Sequence, residues 1–262
     1  MTGSNETFKE VLRFEDDALL NGSRRFIDDL EPRGTLHIAM ARSPVAHARL
    51  ASIDIAKSSS MPGVHTVLTG EDISRHSTPT PIGWEHIADQ RRTESLAMAT
   101  STVRYVGHIV AAVVAETRAI AEDAVDAIEI DYDLLPAVMD VDAAREPNAP
   151  ILHSSWPDNV LATDQQTSGD GRSALKSAHT IVDLELDIGR AFGCPLETRG
   201  VIADWGLQNQ AGSQRSGSVG RLIVDLNSQS PNRVREVLSQ VLGVSVSDLL
   251  VRVPAIGGGF GA

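Results

Sequence analysis

A chain of 262 residues with 42% hydrophobic content is long enough for two domains with buried cores, and its net charge of −12 opposes any phosphate polyanion as a partner. Cys194 is the single cysteine, so the chain forms no internal disulfide, holds no iron–sulfur cluster unaided and fits a reducing cytoplasm. The longest apolar run, residues 109–115, is far short of the roughly 20 residues that cross a bilayer, the amino terminus carries no apolar export segment, and the histidines form no close metal-ligand grouping.

In chain order, the first thirty residues are polar and irregular and end in a turn at Asp28-Asp29-Leu30-Glu31-Pro32. Two alternating stretches, starting at Thr35 and Arg49, predict strands joined through Ser43-Pro44-Val45-Ala46. Met61-Pro62-Gly63 is a turn signal before a short apolar strand, and Gly70-Glu71-Asp72-Ile73 reads as a helix start. Residues 74–95 are a surface excursion rich in Ser, Thr, Pro and charge. Residues 109–115 predict a buried strand. From about Thr117 a helix follows, with Ile120, Ala121, Ala124, Val125 and Ile128 on one face and Glu122, Asp123, Asp126 and Glu129 on the other. Ile130 to Asp133 leave it as a strand, and residues 136–150 read as a linker.

Beyond the linker, residues 157–171 are loop-like, residues 180–188 alternate as a strand does, and residues 201–205 predict another strand. Residues 208–220, almost free of apolar side chains, read as an exposed hairpin loop. Residues 222–226 then predict a strand. Ser230 caps a helix whose first turn tolerates Pro231, because the N–H that proline lacks would have no partner there. Val234, Val237, Leu238, Val241 and Leu242 mark its apolar face and Gly243 ends it. Residues 249–253 form the last strand, and Gly257-Gly258-Gly259-Phe260-Gly261 is a glycine-rich loop directly after it.

Such a loop lets backbone N–H groups approach an oxyanion closely, since no Cβ intervenes and positive φ is free. It also fits a flexible chain end. Gly257, Gly259 and Ala262 satisfy the dinucleotide pattern G-x-G-x-x-G/A, which by itself is weak support for a nucleotide-binding module.

The loop together with Asn227-Ser228-Gln229-Ser230-Pro231 resembles the cofactor signature of the molybdenum hydroxylases, the family of xanthine dehydrogenase, aldehyde oxidase and aerobic carbon monoxide dehydrogenase. The spacing from Gln229 to Phe260, 260 − 229 = 31 residues, agrees with it. The resemblance runs through most of the chain. It takes in Arg13-Phe14-Glu15-Asp16, Leu20-Asn21-Gly22, Phe26-Ile27-Asp28-Asp29, Arg42-Ser43-Pro44 and His47-Ala48-Arg49. It continues through Pro62-Gly63-Val64, Leu68-Thr69-Gly70, residues 103–115, Asp131-Tyr132-Asp133-Leu134-Leu135-Pro136 and Pro195-Leu196-Glu197-Thr198-Arg199-Gly200.

The resemblance implies an α+β fold: an α/β hammerhead domain over residues 1–140, then the first part of a molybdopterin-binding α+β domain over residues 141–262. It implies an oxidoreductase that hydroxylates an aldehyde, N-heterocycle or similar small substrate with oxygen from water. The cofactor is molybdopterin, in its cytosine dinucleotide form, and it carries the hard chemistry. Gln229, Gly258, Gly259, Phe260 and Gly261 are the implied cofactor contacts, with the Gln229 amide and the Phe260 N–H facing oxo ligands on molybdenum.

No catalytic residue is expected in this chain, because the family's glutamate base and further cofactor segments lie beyond the glycine loop. The implied partners are a chain completing the molybdenum site, an iron–sulfur small subunit and an FAD-binding medium subunit, with no nucleic acid and no membrane span. A noncatalytic remnant or interaction domain of the same fold is the alternative. His47 and His108 read as structural, Cys194 as a buried small hydrophobe, and Glu197 and Arg199 as partners of each other or of another chain.

Overall fold

The computed structural model describes residues 13–81, 87, 89–93, 96–189, 191–206 and 220–261. Residues 208–219 of the hairpin loop expected over 208–220, like the first twelve residues, lie outside the described residues. In chain order the helices and strands are α1 (Asp16–Leu20), β1 (His37–Arg42), β2 (Ala48–Asp54), α2 (Ala56–Ser59), β3 (Val64–Thr69), α3 (Gly70–Ser74), β4 (Thr102–Val103), β5 (Ile109–Ala115) and α4 (Arg118–Asp126). They continue as β6 (Glu129–Leu134), α5 (Val141–Arg145), α6 (Gly171–Ser177), β7 (Val201–Gly206), β8 (Arg221–Leu226), α7 (Pro231–Leu242) and β9 (Leu249–Arg252). The chain divides into two compact units, each built from separate stretches of sequence.

The larger unit comprises residues 34–190 and 237–243. It holds two antiparallel three-stranded sheets, ordered β1-β5-β3 and β4-β2-β6. The segment Ser43 to Ala46 therefore carries the chain from one sheet to the other rather than closing a hairpin. β5 is uniformly apolar because it is the middle strand: β1 and β3 take both of its edges, and Val110, Ala111, Val113 and Ala115 are fully buried. Thr117 caps α4 by accepting a hydrogen bond from the Ile120 N–H at 3.2 Å. The buried Ala124 of that helix packs with Val67 and Val113, while Val125 and Ile128 lie against the cluster of Ala41, Ala48, Val103 and Val110.

Three expectations need correcting here. The helix after Thr117 stops at Asp126, so Ile128 and Glu129 lie beyond it; Glu129 and Ile130 instead pair with Asp54 and Ile53 of β2, and that ladder takes the backbone the helix would have used. The stretch read as a linker contains α5, capped by the Asp140 carboxylate accepting from the Ala143 N–H at 2.8 Å. Residues 180–188 form no strand, and Val182, Leu184, Leu186 and Ile188 are more than 70% exposed. Alternation prescribes which face is apolar, but a strand also requires a partner backbone, and no described segment pairs with this one.

The smaller unit combines the described parts of residues 1–33, 191–236 and 244–262. Short local structure replaces the irregular start expected there: α1, then a single 3-10 turn at Ile27–Asp29 that Asp29 closes by accepting from the Phe26 N–H at 2.9 Å. Its sheet is ordered β7-β8-β9, with β7 antiparallel and β9 parallel to β8. The parallel pair is possible because α7 provides the crossover between β8 and β9. Pro231 is the first residue of α7, the Val234 N–H bonds to the Ser230 carbonyl at 3.0 Å, and Gly243 follows the helix at φ 64°.

Candidate functional site

β9 delivers the chain through Val253, Pro254, Ala255 and Ile256 into the glycine loop, and the loop's backbone explains its composition. Gly258 and Gly261 adopt φ of 117° and 79°, values an L side chain rarely takes. Phe260 sits at φ 47°, the one left-handed non-glycine among the described residues. The residue is 71% exposed and packs against Gly193, where an added Cβ would come within 2.6 Å of the Phe260 Cβ.

Gln229 stands at the end of β8, just before α7, and the loop folds onto it. Its Oε1 accepts the Gly261 N–H at 3.0 Å, and a Cβ on Gly259 would fall 2.3 Å from the Gln229 Cδ. Gly259 is thus glycine because the amide occupies its side-chain space. The structure brings Gln229, Gly258, Gly259, Phe260 and Gly261 together on one edge of the smaller unit. Among the described residues no acceptor takes the N–H of Gly258, Gly259 or Phe260 or the Gln229 amide NH2.

Behind the loop lies a set of side-chain clamps that sequence reasoning left open or missed. Glu197 does not pair with Arg199: its Oε1 accepts the Ile27 N–H at 3.2 Å and its Oε2 the Gly257 N–H at 2.6 Å. Asn227 holds the same segment from β8, accepting the Gly200 N–H at 3.0 Å and donating to the Thr198 carbonyl at 2.7 Å. Asp225, 8% exposed, receives a two-pronged bond from Arg252 on the neighbouring strand, at 2.7 and 2.5 Å. The available signals were a polar side chain at the end of each strand and a carboxylate inside a family-like motif. Neither reveals its partner.

The remaining singled-out residues lie elsewhere. His47 is buried with Nδ1 2.8 Å from the Pro136 carbonyl, a structural contact. His108 is buried and stacked on Tyr105; burial pushes its imidazole below the usual value, with the Arg104 charge adding to the shift. Cys194 is exposed, contrary to the expected buried role; residues 191–200 form no helix or strand, and Leu196 and Phe192 are also in the open. No group of three or more His, Cys, Asp or Glu side chains among the described residues is arranged to hold a metal ion directly. No described helix is long and apolar enough to cross a membrane.

Comparison with known proteins places the chain in a family. Residues 21–136 match the model of the aldehyde oxidase and xanthine dehydrogenase a/b hammerhead domain, and residues 152–262 match that of the molybdopterin cofactor-binding domain. The chain belongs to the xanthine dehydrogenase and aldehyde oxidase family. Its relatives there include the nicotine 6-hydroxylase large subunit of Paenarthrobacter nicotinovorans, 35% identical over 97% of this chain and 30% of the relative. The carbon monoxide dehydrogenase large chain of Hydrogenophaga pseudoflava is 32% identical over 94% of this chain and 30% of the relative. The quinoline 2-oxidoreductase structure from Pseudomonas putida 86 superposes with a TM-score of 0.85 and 36% identity, over 96% of this chain and 30% of that one. The chain thus spans about a third of these molybdenum hydroxylase subunits and corresponds to their N-terminal portion.

The residues at the loop fit an oxygen-rich cofactor. Its free donors are neutral backbone N–H groups and a carboxamide, which hydrogen-bond oxygens without adding charge. The Glu197 carboxylate at the start of the loop has each oxygen engaged with a backbone N–H group.

Proposed function

We propose that this chain is the N-terminal part of the molybdenum-cofactor subunit of a hydroxylase that oxidises an aldehyde, N-heterocycle or similar small molecule with oxygen from water. Residues 1–140 are the hammerhead domain and residues 141–262 the first part of the cofactor domain. The observation that supports this reading best is the Gln229 amide lodged against Gly259 and bonded to Gly261, at the glycine loop that the family resemblance assigns to the cofactor.

The bound group, molybdopterin in its cytosine dinucleotide form, supplies the two-electron redox chemistry. The chain's own residues bind and orient it. Gln229 and the Phe260 N–H would donate to oxygens of the bound group, Gly258, Gly259 and Gly261 would allow its close approach to the backbone, and the exposed Phe260 would wall the site. The catalytic base, the remaining cofactor contacts, the iron–sulfur small subunit and the FAD-binding medium subunit are supplied outside this chain, and the assembly works in the cytoplasm. The names of relatives as a large subunit and a large chain support such a complex.

Elemental analysis of gently purified material tests the reading. Molybdenum and iron together, with the visible absorbance of iron–sulfur centres, are the expected result. A stable, monodisperse protein free of both metals would overturn it in favour of a noncatalytic remnant of the same fold.

A further inference from the structure

The Glu197 side chain occupies a position that neither redox chemistry nor core packing requires. It is a carboxylate on a segment that forms no helix or strand, and both of its oxygens are spent on backbone N–H groups of other parts of the smaller unit. One is Ile27, 170 residues earlier, at the 3-10 turn; the other is Gly257, the first residue of the glycine loop, 60 residues later. Around this bridge the backbones are packed without room for a β-carbon. A Cβ on Gly257 would lie 2.5 Å from the Glu197 Cβ, and one on Gly200 would lie 2.6 Å from Ile27 Cγ2. The Ala255 N–H adds a third tie, bonding to the Arg25 carbonyl at 2.9 Å.

From this geometry we infer that Glu197 is a positioning residue for the cofactor loop: it fixes the direction in which the chain enters Gly257-Gly258-Gly259 and couples that direction to the early segment Arg25 to Ile27. The inference rests on the cofactor role proposed for the loop. The physical argument concerns rigidity. A run of three glycines has no side chains to hold it, and glycine loses more conformational freedom on ordering than any other residue. An isolated triple-glycine segment would sample many directions. Gln229 pins the far end at Gly261, and Glu197 pins the near end at Gly257, so the free N–H groups of Gly258, Gly259 and Phe260 between the two pins are held in place before any ligand arrives. A hydrogen bond to an ionised acceptor is among the stronger ones a side chain makes, and here one carboxylate makes two.

The test uses the purified full-length protein that carries this chain, as wild type, Glu197→Gln and Glu197→Ala. Glu197→Gln keeps the shape and one acceptor oxygen but turns an NH2 toward the second N–H; Glu197→Ala removes both acceptors. Amide hydrogen exchange read by mass spectrometry should show peptides covering Ile27 and Gly257 exchanging together about tenfold faster in Glu197→Ala, with Glu197→Gln between it and wild type. A peptide over β8 should keep its wild-type rate. Molybdenum retained per chain after extended dialysis should fall in the same order. Unchanged exchange at Ile27 and Gly257 would overturn the inference, as would a rise that includes β8, because the effect would then be general destabilisation. Faster exchange with molybdenum retained as in wild type would also overturn it, by separating the clamp from the cofactor. A wild-type protein without molybdenum would defeat the proposed function instead, and the exchange comparison would still decide whether the clamp exists.

Discussion

The hammerhead sheets and the glycine loop are held by different physics. In the hammerhead, β5 is covered on both edges by backbone and on its faces by apolar side chains, and Val110 and Val113 have no exposed surface. Around the glycine loop few described apolar residues are buried, Ala255 and Ile27 among them, and the chain's course is set by Glu197, Gln229 and Asn227 reaching backbone N–H groups. Apolar burial is strong and non-directional, so it stabilises without specifying where a single amide points. Side-chain-to-backbone bonds add little net stability each but are directional.

The sharpest way to break this contrast is to damage each region by its own means. Val113→Asp places a carboxylate beside Val67 and Ala124 with no partner. It should destabilise by roughly 4 kcal/mol or more, enough to unfold the hammerhead of an ordinarily stable protein. Urea denaturation followed by circular dichroism measures it, and a midpoint near wild type would mean the core is wetter than its burial indicates.

Gln229→Ala attacks the loop instead. Turnover by the assembled enzyme should fall about 10²-fold or more, as when a donor at a reacting centre is lost, while the urea midpoint moves by less than about 1 kcal/mol equivalent. Equal losses of stability and turnover would dissolve the distinction between the regions; wild-type kinetics would remove Gln229 from the site.

The smallest expected effect comes from His108, a polar group inside the apolar-held region. Its folded-state pKa is lowered by burial and then by Arg104, so below the ordinary imidazole value of about 6.5 the unfolded chain binds a proton that the folded one resists. Stability should therefore decline as pH falls through that value, and His108→Gln should flatten the decline. An unchanged slope would show that other groups carry it.

Much of the hammerhead was readable in advance, because its signals are local. The apolar run of β5, the helix start near Thr117, the turn at Pro62-Gly63 and, outside the hammerhead, the strand, helix, strand, loop order around α7 each depend on a side chain and the backbone within a few residues of it. The glycine loop and Gln229 were legible as a pair through their spacing and a family resemblance. Glu197 was not, since a carboxylate outside any helix or strand reads alike whether it meets Arg199, solvent or a distant amide.

Residues 180–188 show the same limit from the other side. Their alternation is as regular as that of any strand in the molecule, yet they carry none of the ladder that defines one. Periodicity, caps and turn glycines are properties of neighbours in the chain, and they determined the identity of most elements and the position of the glycine loop. The division of β1 and β2 between two sheets, the central place of β5 and the joining of Ile27 to Gly257 through one carboxylate were decided only on folding. Those contacts join residues far apart in sequence, and a residue carries no mark of a partner whose approach depends on how all the intervening chain packs.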